Sequence, residues 1–303
     1  MDRILFSGNE AIARGAYEAG VKVCSAYPGT PSTEVFEALP QYRDSLYCEW
    51  APNEKVATEV AYGASLAGVR SLCAMKHVGV NVAADPIFTA AYNGVGGGFV
   101  IVSADDPSMH SSQNEQDSRH YAIAAKLPML EPADSAEALA FTRRAYEISE
   151  EFDTPVILKM CTRVAHSQSL VECGERAEPA MKPYEKNIAK YVMMPAMAKR
   201  KHPIVEKRQS DLAMLAETTD LNKVIMGDTK IGIITAGISY QYAREVFGDK
   251  ASYLKLGLIY PLPVNLIKDF AAKVDKLYVI EELDDIIETH CKKIGVSVIG
   301  KEI

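Results

Sequence analysis

An α/β protein, with a doubly wound parallel sheet followed by a smaller α/β unit, is the fold class that three observations predict. Apolar strand-like runs alternate with helix-like segments over residues 1–165, the pattern of a parallel sheet covered on both faces. A charged, methionine-rich stretch over 166–225 breaks that alternation, and strand–helix units resume over 226–303. The 303 residues are enough for about two such units. Hydrophobic residues at 48% and charged residues at 24% are ordinary for a globular chain. A net charge of −7 and a pI near 5.5 argue against nucleic acid or an anionic membrane as partner, since both need clustered positive charge. No apolar run approaches the ~20 residues of a membrane span. No secretory h-region follows Met1, so a cytoplasmic protein is expected.

Taken in order, the periodicity predicts a helix over Asn9–Ala19, with Gly20 just past its end. A strand over Val21–Ala26 runs into Tyr27-Pro-Gly-Thr-Pro-Ser-Thr-Glu34. Pro31 suits a first helical position, which makes Thr30 the N-cap of a helix to about Leu39. Thr30 either caps that helix only or joins its N-terminus in binding a small anion. After a strand over Leu46–Glu49, Asn53 caps a helix that has Glu54 in its first turn. Ala57, Ala61, Ala64 and Gly68 make one face of it nearly free of side chains. Either this is a tightly packed core helix, or Glu54 stands opposite a flat heterocycle.

Ser71–Lys76 reads as a strand ending in Lys76-His77-Val78-Gly79, at the sheet edge where ligands bind, although a lone histidine often serves structure alone. One small-residue helix is expected over Val80–Tyr92. The glycines of 93–98 precede the strand Phe99–Ser103, whereas a phosphate loop must precede a helix; they are turn residues. The polar loop 104–120 carries Asp105, Asp106 and His110, and loops this long at strand ends tend to bear function. Asp134-x-x-Glu137 opens a helix to about Glu150, and Pro155–Cys161 is a buried strand. Residues 166–225 read as a helical connector without strands, with the basic run Lys199-Arg-Lys201 solvated or facing a partner subunit. Strands over Lys230–Ala236, Ser252–Leu258 and Leu277–Ile280 and helices to Phe247 and over Val264–Ala272 build the last unit. Ile259-Tyr-Pro-Leu-Pro263 forms a rigid corner. Gly232 and Gly237 lack dinucleotide spacing, so no nicotinamide site is expected. Six cysteines without a C-x-x-C pair read as structural, and no metal site is expected on this chain. The ending after a strand, without a covering helix, reads as a chain cut from something longer.

Asn53-Glu54-x-x-Ala57-x-x-x-Ala61-x-Gly63-Ala64 resembles the pyrimidine-domain signature of thiamine diphosphate enzymes. Ser7-Gly-Asn-Glu-Ala-Ile-Ala-Arg-Gly15, Ala26-Tyr-Pro-Gly-Thr-Pro-Ser-Thr-Glu34, Met75-Lys-His-Val-Gly79, Asn81-Val-Ala-Ala-Asp-Pro86 and Ala104–Asp117 are more specific. Together they resemble the 2-oxoacid:ferredoxin oxidoreductases, in the amino-terminal half of the alpha subunit of their indolepyruvate branch. The resemblance covers essentially the whole chain. It implies a thiamine diphosphate pyrimidine-binding domain (1–165), a connector (166–225) and a transketolase-C-terminal-like domain (226–303). It implies that Glu54 hydrogen-bonds the aminopyrimidine ring and drives its tautomeric shift, beside a small-residue face that admits the ring. Thr30 would hold the substrate carboxylate, with His77 and His110 lining the site and Pro28, Gly29 and Lys76 beside the cofactor. Pyruvate-specific relatives carry an arginine in the segment where this chain has Asp105, a departure that suits a bulkier 2-oxoacid.

The Gly-Asp-Gly motif that holds Mg²⁺ and the diphosphate is missing, since Gly227-Asp-Thr229 and Gly248-Asp-Lys250 do not substitute, and so is a cysteine-rich tail. Mg²⁺ and iron–sulfur clusters are therefore expected on a missing portion or partner chain. The implied partners are a diphosphate-binding domain or chain, a beta/gamma-type subunit, ferredoxin and coenzyme A, in a homo- or hetero-oligomer inactive without them. Other 2-oxoacids (phenylglyoxylate, branched-chain acids, pyruvate) and a non-catalytic assembly role are the alternatives.

Overall fold

The computed structural model describes residues 3–302. Strand β1 (Arg3–Ser7) leads into helix α1 (Gly8–Glu18) through a capping box: the Glu10 N–H donates to Ser7 Oγ and the Ser7 N–H to Glu10 Oε2. Next come β2 (Val23–Ala26), α2 (Thr33–Ala38), β3 (Tyr47–Trp50), α3 (Glu54–Leu66), β4 (Ser71–Lys76), α4 (His77–Val82), α5 (Ala84–Asn93) and β5 (Phe99–Asp105). Past the polar loop follow α6 (Arg119–Ala125), β6 (Met129–Leu130), α7 (Ser135–Glu151), β7 (Val156–Cys161) and α8 (Thr162–His166). β8 (Gln168–Glu172), α9 (Ile188–Tyr191) and the long α10 (Pro195–Thr218) cross the connector. The last unit comprises β9 (Lys223–Ile225), β10 (Ile231–Ala236), α11 (Gly237–Phe247), β11 (Ser252–Leu256), β12 (Leu258–Tyr260), α12 (Asn265–Ala271), β13 (Lys276–Ile280) and α13 (Ile286–Lys293).

Among the described residues the strands form three sheets. The largest has the order β12-β6-β7-β5-β4-β2-β3, parallel except for β12. β4, β5 and β7 are buried along their whole lengths, as central parallel strands between two helical layers must be. Ile12 and Ala16 of α1, Val35 and Phe36 of α2, and Ala145 and Ile148 of α7 cover one face. Ala61 and Tyr62 of α3, Ile87 of α5 and Ala122 of α6 cover the other, in a core shared with Ile234, Leu254, Ile267 and Ile287 of the last unit. The second sheet has the order β13-β10-β11-β9, and β1 pairs with β8 as an antiparallel ribbon. The order reverses at β2: α2 leaves it over one face toward β3, and α4 leaves β4 over the other. That divergence opens a crevice at the carboxyl ends of β2 and β4, where doubly wound sheets take their ligands.

Several local expectations are corrected. Thr30 is not an N-cap: the Thr30–Pro31 peptide is cis and α2 starts at Thr33. The turn is closed by the Gly29 N–H donating to Thr33 Oγ1 and by Ser32 Oγ donating to the Gly29 carbonyl. The helix expected over 80–92 is two helices meeting at Ala83. The connector does contain strands, because β8 finds β1 and β9 finds β11, pairings between distant segments. The strand expected over 252–258 ends at Leu256, and β12 crosses to pair antiparallel with β6 on the first sheet. Within the basic run Lys201 is buried, its ammonium bonded to Asn93 Oδ1 and the Lys190 carbonyl. Helix α13 after β13 was not expected either. Among the described residues no helix is long and apolar enough to cross a membrane.

Candidate functional site

Glu54 enters the crevice because Asn53 starts α3 at the end of β3, its Oδ1 accepting from the Val56 N–H at 2.9 Å. The side chain does not reach outward. It is 8% exposed and folded against α4, where a β-carbon on Gly79 would lie 2.6 Å from Glu54 Cγ and 2.8 Å from Oε1. Only glycine at 79 leaves that space. Among the described residues the Glu54 carboxylate makes no hydrogen bond or ion pair. The small-residue face beside it is not open to a ring: Ala57 and Ala61 are fully buried, where α3 packs on β2 and β4. Small side chains there bring helix and sheet together, and only the first turn of α3 faces the crevice.

Lys76 ends β4 and His77 opens α4. The Lys76 stem lies along Gly29, where a β-carbon would stand 3.2 Å from Lys76 Cδ, so the Pro28–Thr30 turn and β4 meet through that glycine. Lys76 Nζ donates to the Ser111 carbonyl at 2.8 Å, which pins the polar loop over the crevice. His77 is fully buried with neither ring nitrogen hydrogen-bonded. Burial and the Lys76 charge hold it below the ordinary histidine range, so the ring is neutral at pH 7. A buried imidazole without partners, on an element facing an unpaired carboxylate, is the mark of a place that an incoming group completes.

The turn carrying Thr30 is held from behind by Asn9, whose Nδ2 donates to the Pro31 carbonyl at 2.9 Å. Thr30 itself is half-buried. Asn9 and Gly79 stood in quoted motifs without an assigned role. Their signal was available, since a polar residue amid the apolar positions of α1 and a glycine two residues after a strand-end histidine both ask for a reason.

His110 belongs to the polar loop that Lys76 holds through the neighbouring Ser111. It sits exposed at the tip of the polar loop and lines a groove of about 460 Å³ with Thr162, Arg163, His166, Tyr242 and Glu282, on the β7 side of the sheet edge. Asp105 does not face the crevice. It is fully buried, accepts from the Ser118 N–H at 3.0 Å and from Ser118 Oγ, and lies 3.9 Å from Lys159 Nζ. Burial outweighs the opposing Lys159 charge and Ser118 bonds and pushes its carboxyl up to about 6. The residue anchors the loop. Asp106 does the same at the loop's start, accepting from the Ser111 N–H, Ser112 Oγ and Thr162 Oγ1. Burial would raise its carboxyl, but those bonds hold it below the ordinary range.

The network continues into the last unit. Lys159 Nζ donates to Glu131 Oε1 at 2.6 Å, and Arg119 is bonded to Asp117 at 2.6 Å and to Glu281. The Arg119 guanidinium also donates to the carbonyls of Glu282 and Asp284 at 2.8 and 2.7 Å. Asp117 stays below its ordinary range because the Arg119 bond and charge outweigh burial. All of these charges find partners, so this side of the edge is a joint between the two units.

A family model described as pyruvate flavodoxin/ferredoxin oxidoreductase, thiamine diphosphate-binding, matches residues 14–224. The chain is similar to indolepyruvate oxidoreductase subunit IorA of Archaeoglobus fulgidus, with 44% identity over 99% of this chain and 50% of that protein. It therefore spans about half the length of that relative. Its fold is that of a 2-oxoglutarate:ferredoxin oxidoreductase from Magnetococcus marinus, with a TM-score of 0.82 at 20% identity over 99% of this chain and 62% of the other. A split-gene transketolase chain matches less closely, with a TM-score of 0.59 at 15% identity over 97% and 88% of the two chains. The matched span contains the crevice with its unpaired acid, and by that match the chain belongs to the pyruvate flavodoxin/ferredoxin oxidoreductase family, as a carrier of its thiamine diphosphate-binding domain.

Proposed function

We propose that this chain holds the pyrimidine half of thiamine diphosphate in a 2-oxoacid:ferredoxin oxidoreductase that decarboxylates arylpyruvates such as indolepyruvate. One observation carries the reading: a largely buried carboxylate, Glu54, lacks a protein partner and is shaped around Gly79. A ring nitrogen that shares a proton with that carboxylate gives it the partner that the protein does not supply. The residues fit an aminopyrimidine in this respect.

Thiamine diphosphate, when bound, supplies the electron sink that lets the bond between the keto carbon and the carboxylate break. The chain's own residues bind, orient and move protons. Glu54 holds a proton between its carboxyl and the ring nitrogen of the pyrimidine. Neutral, fully buried His77 has one N–H and one lone pair that the protein does not use. Lys76 holds the polar loop over the crevice through Ser111, and the Thr30 hydroxyl donates to the substrate carboxylate. Pro28 and Gly29 shape the turn that presents Thr30. Tyr27, Trp50, Val82 and Phe88 form an exposed apolar set on the elements around the crevice, which supports its closure by a diphosphate-binding domain or chain. Mg²⁺ and iron–sulfur clusters belong to the remainder of the protein or to a partner subunit, with ferredoxin as electron acceptor and coenzyme A as acyl acceptor.

The test is Glu54→Gln in the enzyme reconstituted with those parts. Turnover of indolepyruvate is expected to fall at least ~100-fold, the scale of one positioned proton transfer, with circular dichroism unchanged. Near-normal turnover overturns the assignment.

A further inference from the structure

Cys24 on β2 and Cys48 on β3 stand directly opposite each other in the parallel register, Val23↔Tyr47, Cys24↔Cys48, Ser25↔Glu49. In-register neighbours on adjacent strands point to the same face, and both pack in the core layer under α1 and α2. Cys73, on β4, is registered against Ser25 and so lies on the other face, beside Thr58. The spacing of paired strands, about 4.8 Å, falls within the roughly 4.4–6.8 Å that a disulfide spans between α-carbons.

The two thiols differ in access. Cys24 is fully buried, whereas Cys48 is half-buried on β3, the outermost strand of its sheet. We propose that Cys24 and Cys48 are a reversible disulfide site, oxidised by a small-molecule disulfide that enters along the open β3 edge. The Cys48 thiolate attacks one sulfur of that disulfide, forms a mixed disulfide and expels one thiolate. Cys24 then attacks Cys48 Sγ, expels the second thiolate and gives its proton to it. Two cysteine thiols are oxidised and one external disulfide is reduced to two thiols. The order follows from access, since only Cys48 can be reached from outside. The closeness of the two thiols agrees with it, holding Cys48 below the ordinary thiol range and, with burial, raising Cys24 well above it. The exposed partner is thus the attacking one and the buried partner the resolving one.

Each cysteine sits two residues before the end of its strand, at Ala26 and Trp50. The bond would tie the root of the Pro28–Thr30 turn to the root of α3, which carries Glu54. The chemistry is independent of what the crevice binds.

The test uses the full chain, reduced and then incubated anaerobically with glutathione disulfide. Two of the six thiols are expected to disappear, the intact mass falls by two hydrogens without dimerisation, and peptide mapping finds Cys24 linked to Cys48. Cys48→Ser is expected to keep all remaining thiols, while Cys24→Ser stops at glutathione on Cys48. Dithiothreitol restores both thiols. A stable glutathione adduct on wild-type Cys48, a link through another cysteine, or no reaction overturns the proposal. Cys48→Ser, at the half-buried position, decides the matter if Cys24→Ser fails to fold.

Discussion

Two groups of buried polar side chains occupy the same edge of the large sheet, and they differ in whether they are paired. On the β5–β7 side, Asp105, Asp117, Arg119, Glu131 and Lys159 bond to one another and, through Arg119, to Glu281 of the last unit. On the β3–β4 side, both nitrogens of fully buried His77 have no hydrogen-bond partner, and the Glu54 carboxylate, on a residue 8% exposed, is bonded to none of the described residues. The first group has used its bonding capacity on the protein and has little to give a ligand. In the second, the buried His77 ring is left without bonds at a cost that another molecule can relieve, and the Glu54 carboxylate is free to take a donor. Pairing, more than charge or depth, separates the joint from the site.

Substitutions on the two sides should break in opposite ways. The largest effect is expected at Arg119→Met, which leaves Asp117 and Glu281 buried without their counter-charge; urea unfolding should show a loss of about 3–5 kcal/mol. A loss below about 1 kcal/mol would mean that the network holds the units no better than packing does. A smaller, pH-dependent effect belongs to Asp105. Its carboxyl is raised from 3.8 to about 6, so folding takes up a proton between those values. The resulting stability is fully present below pH 3.8 and is lost as pH rises through about 6. Thermal unfolding from pH 4 to 7 should show Asp105→Asn losing that slope relative to wild type; parallel curves would refute the shift. The smallest effect on folding is expected at Glu54→Gln. No protein partner is lost there, so the urea midpoint should move by no more than about 0.5 kcal/mol or rise, even as turnover collapses. A clear destabilisation would put Glu54 with the paired group.

Much of the site could be read from residues alone. Asn53 before Glu54 fixes the start of α3, and Lys76-His77 at the end of an apolar run marks the sheet edge, because caps and strand ends are local signals. The central strands were equally legible, being continuous apolar runs bounded by turns. What local signals do not carry is pairing across distance. Nothing near Asp105 or Glu131 reveals that Lys159 faces them, nor near Arg119 that Glu281 joins Asp117 as its partner, so Asp105 read as a specificity residue when it is an anchor. Thr30 before Pro31 looked like a cap because nothing in the string shows that Ser32 and Thr33 close the turn. The small face of α3 was ambiguous in the same way, since alanines that admit a ring and alanines that admit a sheet are spelled alike.

The three residues of β12 have a bearing on portability. They come from the later unit, yet they cover the outer side of β6, which is only two residues long. If the later unit were removed, the earlier one would show an open margin of unsatisfied peptide groups, ready to recruit any extended strand nearby. Recombination or engineering that hopes to borrow the earlier unit must therefore carry residues 258–260 along with it, or provide a substitute selvedge.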